Sequence, residues 1–155
     1  MQGQCPALVH LDLSDNNIRS DESRYSCRRA AGTERLAGVL PQCTSLPDLN
    51  LKHNDIGDAG TERLAGVLPQ CTTLAHLNIR SNMIGPAGTE RLAQVMRQCA
   101  TLTDLDLYSN DIGPAGIARI AGVLSQCTAL VFLDLGDNEC SAYGGVPRLV
   151  RVLTQ

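Results

Sequence analysis

Two rhythms of apolar residues alternate along this chain. Five stretches share the spacing LxxLxLxxN: Leu8, Leu11 and Leu13 before Asn16; Leu46, Leu49 and Leu51 before Asn54; Leu74, Leu77 and Ile79 before Asn82; Leu102, Leu105 and Leu107 before Asn110; Leu130, Leu133 and Leu135 before Asn138. The LxL centre has the period of two that a strand needs to turn one face to a core and the other to water. Between these stretches the period becomes helical. In Thr61–Gln70, Leu64, Ala65, Val67 and Leu68 mark one side while Glu62 and Arg63 face away. Strand and helix are joined by xIGxxG, as in Asp55–Gly60, where glycine is expected to permit the turn. Gly66 weakens the helix intrinsically, so packing must hold it.

The helical part is nearly copied from unit to unit. GTERLAGVLPQCT occurs at Gly32–Thr44 and again at Gly60–Thr72, followed by GTERLAQVMRQCA at Gly88–Ala100 and GIARIAGVLSQCT at Gly116–Thr128. The last three copies are 28 residues apart, and a fixed period of that order marks one supersecondary unit stacked on its own copies. Units start near residues 8, 46, 74, 102 and 130 of a single domain, 1–155. Every unit runs the same way, so the strands are parallel, and such crossovers are right-handed. The repeated Asn16, Asn54, Asn82, Asn110 and Asn138 are expected to bond turn backbone through their amides and form a ladder through the stack.

The full motif, LxxLxLxxNxIGxxGxxxLAxVL, resembles the leucine-rich repeat of the ribonuclease-inhibitor-like subfamily. It is also similar to the repeats of the cytoplasmic NOD-like receptors and of the GTPase-activating protein for Ran. The chain departs from ribonuclease inhibitor in having one repeat type, with Asn at every turn. The resemblance implies an α/β, right-handed leucine-rich-repeat solenoid of about five repeats of 28 residues, with a parallel sheet on the concave face and helices on the convex face. It implies a protein partner held by the concave face. The alternatives it carries are a regulator that activates a small GTPase and a fragment of a larger innate-immune-type receptor.

Composition narrows this picture. With one Phe, three Tyr and no Trp, the interior must be aliphatic. A net charge of −3 with scattered Lys and Arg offers no basic face for nucleic acid. No apolar run is long enough to span a membrane, and the opening MQGQCPALVH lacks the regions of a signal peptide. The expected location is cytoplasmic, with nuclear as the alternative. Of seven cysteines, Cys43, Cys71, Cys99 and Cys127 share one repeat position, Cys5 fits an earlier copy, and no CxxC pair occurs. The column reads as small apolar plugs beside the turn into the strand; Cys27 and Cys140, outside it, are the more reactive thiols.

No GxSxG, P-loop or HExxH is present, so the expectation is a non-catalytic module without a cofactor. Residues between the strand leucines point away from the core in four columns. The first is His10, Asp48, His76, Asp104 and Phe132, and the second Asp12, Asn50, Asn78, Asp106 and Asp134. The third is Ser14, Lys52, Arg80, Tyr108 and Gly136, and the fourth Asp15, His53, Ser81, Ser109 and Asp137. Partner contacts are expected from Asp48, Lys52, His53, His76, Arg80, Asp104, Asp106, Tyr108, Phe132 and Asp134. Arg80 and Tyr108 are of hot-spot type, and an exposed Phe132 would be the anchor. The second column is a mildly acidic stripe, either steering basic partners or merely solvated. His10 and His76 are two strands apart, about 10 Å by strand spacing, so no metal is expected there. The repeated Glu34, Glu62, Glu90 and Arg35, Arg63, Arg91, Arg119 read as solvated helix faces.

The repeat breaks once and changes at its ends. Asn16 and Asn54 are 38 residues apart, which places an insertion at Arg19–Arg28, either a tolerated loop or a contact loop presenting Arg24, Tyr25 and Arg28. The first strand has no recognisable cap ahead of it, and such an edge is expected to associate with a partner domain or a second copy. A closing helix is expected at about Pro147–Leu153.

Overall fold

The computed structural model describes residues 7–19 and 32–138. Strands β1 (His10–Asp12), β2 (Asp48–Asn50), β3 (His76–Asn78), β4 (Asp104–Asp106) and β5 (Phe132–Asp134) form one parallel sheet in chain order. Helices α1 (Gly32–Val39), α2 (Gly57–Ala65), α3 (Pro86–Met96) and α4 (Gly113–Val123) alternate with them, each packed on the next. The register carries no offset, so Leu11, Leu49, Leu77, Leu105 and Leu133 lie side by side. One continuous aliphatic core results. Leu49, Leu51, Leu105, Leu107 and Leu133 meet Ile56, Ile84, Ile112, Leu92 and Ile120, all fully buried.

The strands are three residues long because the chain turns sharply around each ladder asparagine. The residue just before it is left-handed in every unit: Asp15, His53, Ser81, Ser109 and Asp137, with φ between 53° and 58°. Asn17, Asp55 and Met83, just after it, are left-handed too. Short polar side chains take this conformation readily, whereas Met83 takes it at a steric cost. The turn therefore does not rest on the glycines of xIGxxG alone. Only the first glycine is left-handed, at Gly57 (φ +62°) and Gly113 (φ +63°).

The second glycine of the motif lies inside the helix, where it serves close approach. A Cβ on Gly60 would stand 2.6 Å from Ile56 Cγ2 and 3.1 Å from Thr33 Oγ1; one on Gly116 would stand 2.5 Å from Ile112 Cγ2. The expected helix at Thr61–Gln70 is thus corrected: α2 starts at Gly57 and ends at Ala65, and a separate 3₁₀ turn, Leu68–Gln70, follows. Pro69 cannot donate to an α-helical ladder and so fits the break, but the same turn forms at Leu124–Gln126 with serine in its place and belongs to the repeat. Gly66 caps the helix, its amide donating to the Glu62 and Leu64 carbonyls, rather than weakening an interior turn.

Each ladder asparagine ties two units together. The Asn82 side-chain oxygen accepts the backbone N–H of Asn54 (2.9 Å) and of Ile56 (3.4 Å), while its Nδ2 donates to the Leu51 carbonyl (2.9 Å) and the Arg80 carbonyl (3.0 Å). Asn110 does the same for Asn82 and Ile84, and Asn54 for Asn16 and Ile18. Asn138 continues the series, accepting from Asn110 at 3.0 Å. A second column was not read from the pattern: Thr33, Thr61 and Thr89 are buried on helices, with Thr61 and Thr89 donating to the carbonyls four residues back. Asp58 adds a cross-unit cap, accepting the Gly85 and Gly88 amides at 2.8 and 2.7 Å at the start of α3.

The cysteine column is more than apolar filling. Cys43 and Cys127 are buried and Cys71 and Cys99 half-buried. Each Sγ donates to the carbonyl of the valine four residues earlier, at 3.4–3.6 Å, where the helical segment ends. Burial, and to a lesser degree the neighbouring thiols, pushes Cys71 and Cys99 up to about 11 from an ordinary 9.0. A thiol held protonated in the fold stabilises it fully below the unfolded-state value, and that contribution is lost as pH rises through the folded one. Unfolding midpoints are therefore expected to fall between pH 9 and 11. Cys71→Ala/Cys99→Ala should flatten that fall; an unchanged profile in the double variant would exclude these thiols as its cause.

Candidate functional site

The polar side of the sheet divides into positions that the fold itself needs and positions that it leaves to choice. The fourth column is the left-handed turn column, so Asp15, His53, Ser81, Ser109 and Asp137 answer first to backbone conformation. The second column is a series of side-chain turns. Asp12, Asn50, Asn78, Asp106 and Asp134 each accept, through Oδ1, the backbone N–H two residues on, at 2.8–3.1 Å. The restriction to Asp or Asn is thereby explained locally.

The first and third columns are freer. His10 Nδ1 lies 3.3 Å from Asp48, and His76 Nδ1 lies 3.1 Å from Asp104, which also accepts the Thr103 hydroxyl at 2.6 Å. Phe132 follows Asp104 in register and is half-buried, not fully exposed as the sequence suggested. Its ring shares a shallow depression with Asp48, His76, Leu77, Asn78, Asp104 and Asp106. In the third column the Arg80 guanidinium carbon stands 4.0 Å from the Tyr108 ring centroid, a cation–π stack. Tyr108 in turn covers Gly136, where a Cβ would meet the ring at 2.9 Å. Arg80 Nε is buried in this stack without a hydrogen-bond partner among the described residues. Lys52 continues the column next to Arg80.

Charge on this face is uneven. Burial, with Asp134 alongside, pushes the half-buried Asp106 carboxyl above its ordinary value despite the Tyr108 amide bond. Asp12, fully exposed, is held below its ordinary value by its hydrogen bonds to Ser14. Among the described residues no three His, Cys, Asp or Glu side chains are arranged to hold a metal ion.

The other candidates fall elsewhere. On the helices, Glu62 pairs with Arg91 at 3.7 Å and Glu90 with Arg119 at 3.8 Å, all of them well solvated. Arg19, the first residue of the insertion, pairs with Asp55 at 2.9 Å and also donates to Asn17. The expected contacts Arg24, Tyr25 and Arg28, the thiols Cys5, Cys27 and Cys140, and the closing helix at Pro147–Leu153 lie outside the described residues.

Unit for unit, the same parallel strand, asparagine turn and outer helix recur, and the family profile described as "Leucine Rich repeat" matches residues 4–21, 42–65, 70–93 and 98–121, more than half of the chain. The chain belongs to the leucine-rich-repeat family. Its fifth repeat strand, Leu130–Asn138, lies beyond the matched residues yet pairs in register with the fourth. No curated protein sequence matches this leucine-rich-repeat chain. Among solved structures it is similar to "Leiomodin-1 Actin-Binding Site 2 (ABS2)", at 21% identity and a TM-score of 0.69 over 83% of this chain and 70% of that one. It is also similar to the tropomodulin C-terminal domain of Caenorhabditis elegans, at 14% identity and a TM-score of 0.65 over 91% of this chain and 80% of that one. Both likenesses establish the fold. Among the described residues, no helix of the repeat domain is long and apolar enough to cross a membrane.

Proposed function

We propose that this leucine-rich-repeat domain is a non-catalytic binding module that holds a partner protein on the polar face of its sheet. The carrying observation is the contrast between columns. The second and fourth are committed to turns, while the first and third vary in chemistry and gather Arg80, Tyr108 and Phe132 on three adjacent strands. Large aromatic and guanidinium side chains already stacked in place lose little freedom on binding, which favours hot-spot energetics. A neighbouring fold whose name carries an actin-binding site supports a protein-binding role for such a domain, and actin is accordingly one probe to include. The 28-residue period and helices of 8 to 11 residues support the ribonuclease-inhibitor-like subclass.

The test compares wild type with an Arg80→Ala/Tyr108→Ala/Phe132→Ala variant in pull-downs and then in affinity measurements on the recovered partner. The triple variant is expected to lose about 100-fold or more in affinity, as removal of clustered hot-spot residues does. Equal recovery by both proteins, with the variant folded by circular dichroism, would remove the sheet face from consideration.

A further inference from the structure

The choice of aspartate over asparagine in the second column is not explained by the turns. Asn50 and Asn78 make the bond to the amide two residues on just as Asp106 and Asp134 do. The turn therefore needs an acceptor oxygen and no charge. Asp106 and Asp134 nevertheless stand in register on adjacent strands β4 and β5, where like charges repel. Each spends one oxygen on the backbone and keeps the second for something else. Among the described residues neither enters an ion pair, whereas Asp48 and Asp104 each have a histidine and Glu62 and Glu90 each an arginine. The Arg80 guanidinium is stacked on Tyr108, 4.0 Å from the ring centroid, and with Lys52 acts on Asp106 only through space, not as an ion pair. Aromatic rings flank the carboxylates along the strands. Phe132 lies two residues before Asp134 and lines the depression with Asp106, and Tyr108 lies two residues after Asp106.

We propose that the β4–β5 half of this face takes an extended basic segment of a partner protein, one Lys or Arg side chain of which sits between Asp106 and Asp134 with Phe132 and Tyr108 on either side. This rests on the binding-module reading and adds the chemistry of the partner to it. A cation there relieves the repulsion between the two carboxylates, and the Phe132 ring attracts its charge while the ring edges cover its stem. Burial first, and Asp134 after it, raise the Asp106 carboxyl, and Arg80 and Lys52 offset only part of that rise. The rest of the face limits the segment's composition: Lys52 and Arg80 in the next column disfavour further cations towards β2 and β3, so the fit is to a sparse basic pattern, not a polybasic tract.

The experiment selects random peptides displayed on phage in parallel on the wild-type chain and on Asp106→Asn/Asp134→Asn. Winners are then measured by fluorescence anisotropy at two ionic strengths. The asparagines keep the turn bonds and remove the repulsion, so this variant should match or exceed wild type in its urea unfolding midpoint. The expected winners on wild type carry a recurrent Lys or Arg, bind the double variant about tenfold or more weakly, and weaken with salt. Peptides that lose affinity in Arg80→Ala/Tyr108→Ala/Phe132→Ala but bind Asp106→Asn/Asp134→Asn as well as wild type would overturn this inference and leave the module reading standing. Peptides indifferent to both variants would overturn both. Spermine alone binding as tightly as the selected peptides would also overturn it, because the site would then take a free polyamine and not a protein segment. Selection that returns no more basic peptides from wild type than from the double variant has the same consequence.

Discussion

Replacing Asn82 with Ala is expected to destabilise the domain by about 3 kcal/mol or more, among the largest effects of any polar substitution in the chain. The Asn82 amide is fully buried and makes four bonds: two accepted from the Asn54 and Ile56 amides, two donated to the Leu51 and Arg80 carbonyls. Truncation takes the acceptor from the Asn54 and Ile56 amides, while the Leu51 carbonyl keeps Asn54 Nδ2 and the Arg80 carbonyl keeps the His53 amide; unsatisfied buried groups cost about 1–3 kcal/mol each before any relaxation. Asn82→Asp separates the halves of this role. It keeps the acceptor, loses the Nδ2 donors and buries a carboxylate, so it should be no better tolerated than Ala. Asn16 supplies the internal contrast, because it is exposed and, among the described residues, its side-chain amide donates only to the Ser14 carbonyl. Asn16→Ala should cost less than about 1 kcal/mol in the same urea titration. Similar losses at both positions would mean that the ladder bonds are not what holds adjacent repeats together.

Leu105→Ala is the apolar counterpart, with an expected loss of about 3–4 kcal/mol from transfer and cavity terms combined. Leu105 is 0% exposed at the middle of β4, between Leu77 and Leu133, and the in-register neighbours on both sides prevent the sheet from closing over the gap. In a one-dimensional stack such a defect also weakens both interfaces of its own repeat, so the unfolding transition should broaden as well as shift. Val131→Ala, at a position 49% exposed on the neighbouring unit, should lie within about 0.5 kcal/mol of wild type. A sharp, unbroadened transition for Leu105→Ala would argue that the repeats fold as one inseparable unit.

The leucine spacing made the strand register readable before any coordinates, because LxxLxLxxN in five copies leaves one way to align them. What it did not reveal was backbone geometry. Periodicity counts apolar side chains, and His53, Ser81 and Ser109 are left-handed for reasons that no hydrophobic pattern carries. For the same reason the helix start was misplaced: Gly60 looks like a turn residue by type, but in the fold it is the contact point at which one helix passes Ile56 and the preceding unit's Thr33. Thr61 was missed because a hydroxyl on a helix reads as a surface group, whereas its bond to the Gly57 carbonyl lets it be buried.

The candidate face was legible as a set of columns and not as a set of interactions. Strand alternation alone put His10, Asp48, His76, Asp104 and Phe132 in one line, and the register bears that line out. That Arg80 stacks on Tyr108, and that Phe132 is half sunk beside Asp104, depends on side-chain rotamers and on Gly136 leaving room for the Tyr108 ring. The acidic stripe turned out to have a local cause in its turn bonds, which leaves the charge at Asp106 and Asp134, and not the column as a whole, as the part that asks for a partner.

The central claim is that binding belongs to the sheet face and that the near-identical helices are scaffold. It is tested most directly by placing a photo-cross-linking residue at His76, on the sheet side, in one protein and at Glu90, on α3, in another, and irradiating each with the recovered partner. Both side chains reach solvent, His76 on β3 and Glu90 in the groove between α2 and α3. The account predicts a cross-linked adduct from the His76 position and none from the Glu90 position. An adduct from Glu90 with none from His76 would contradict it.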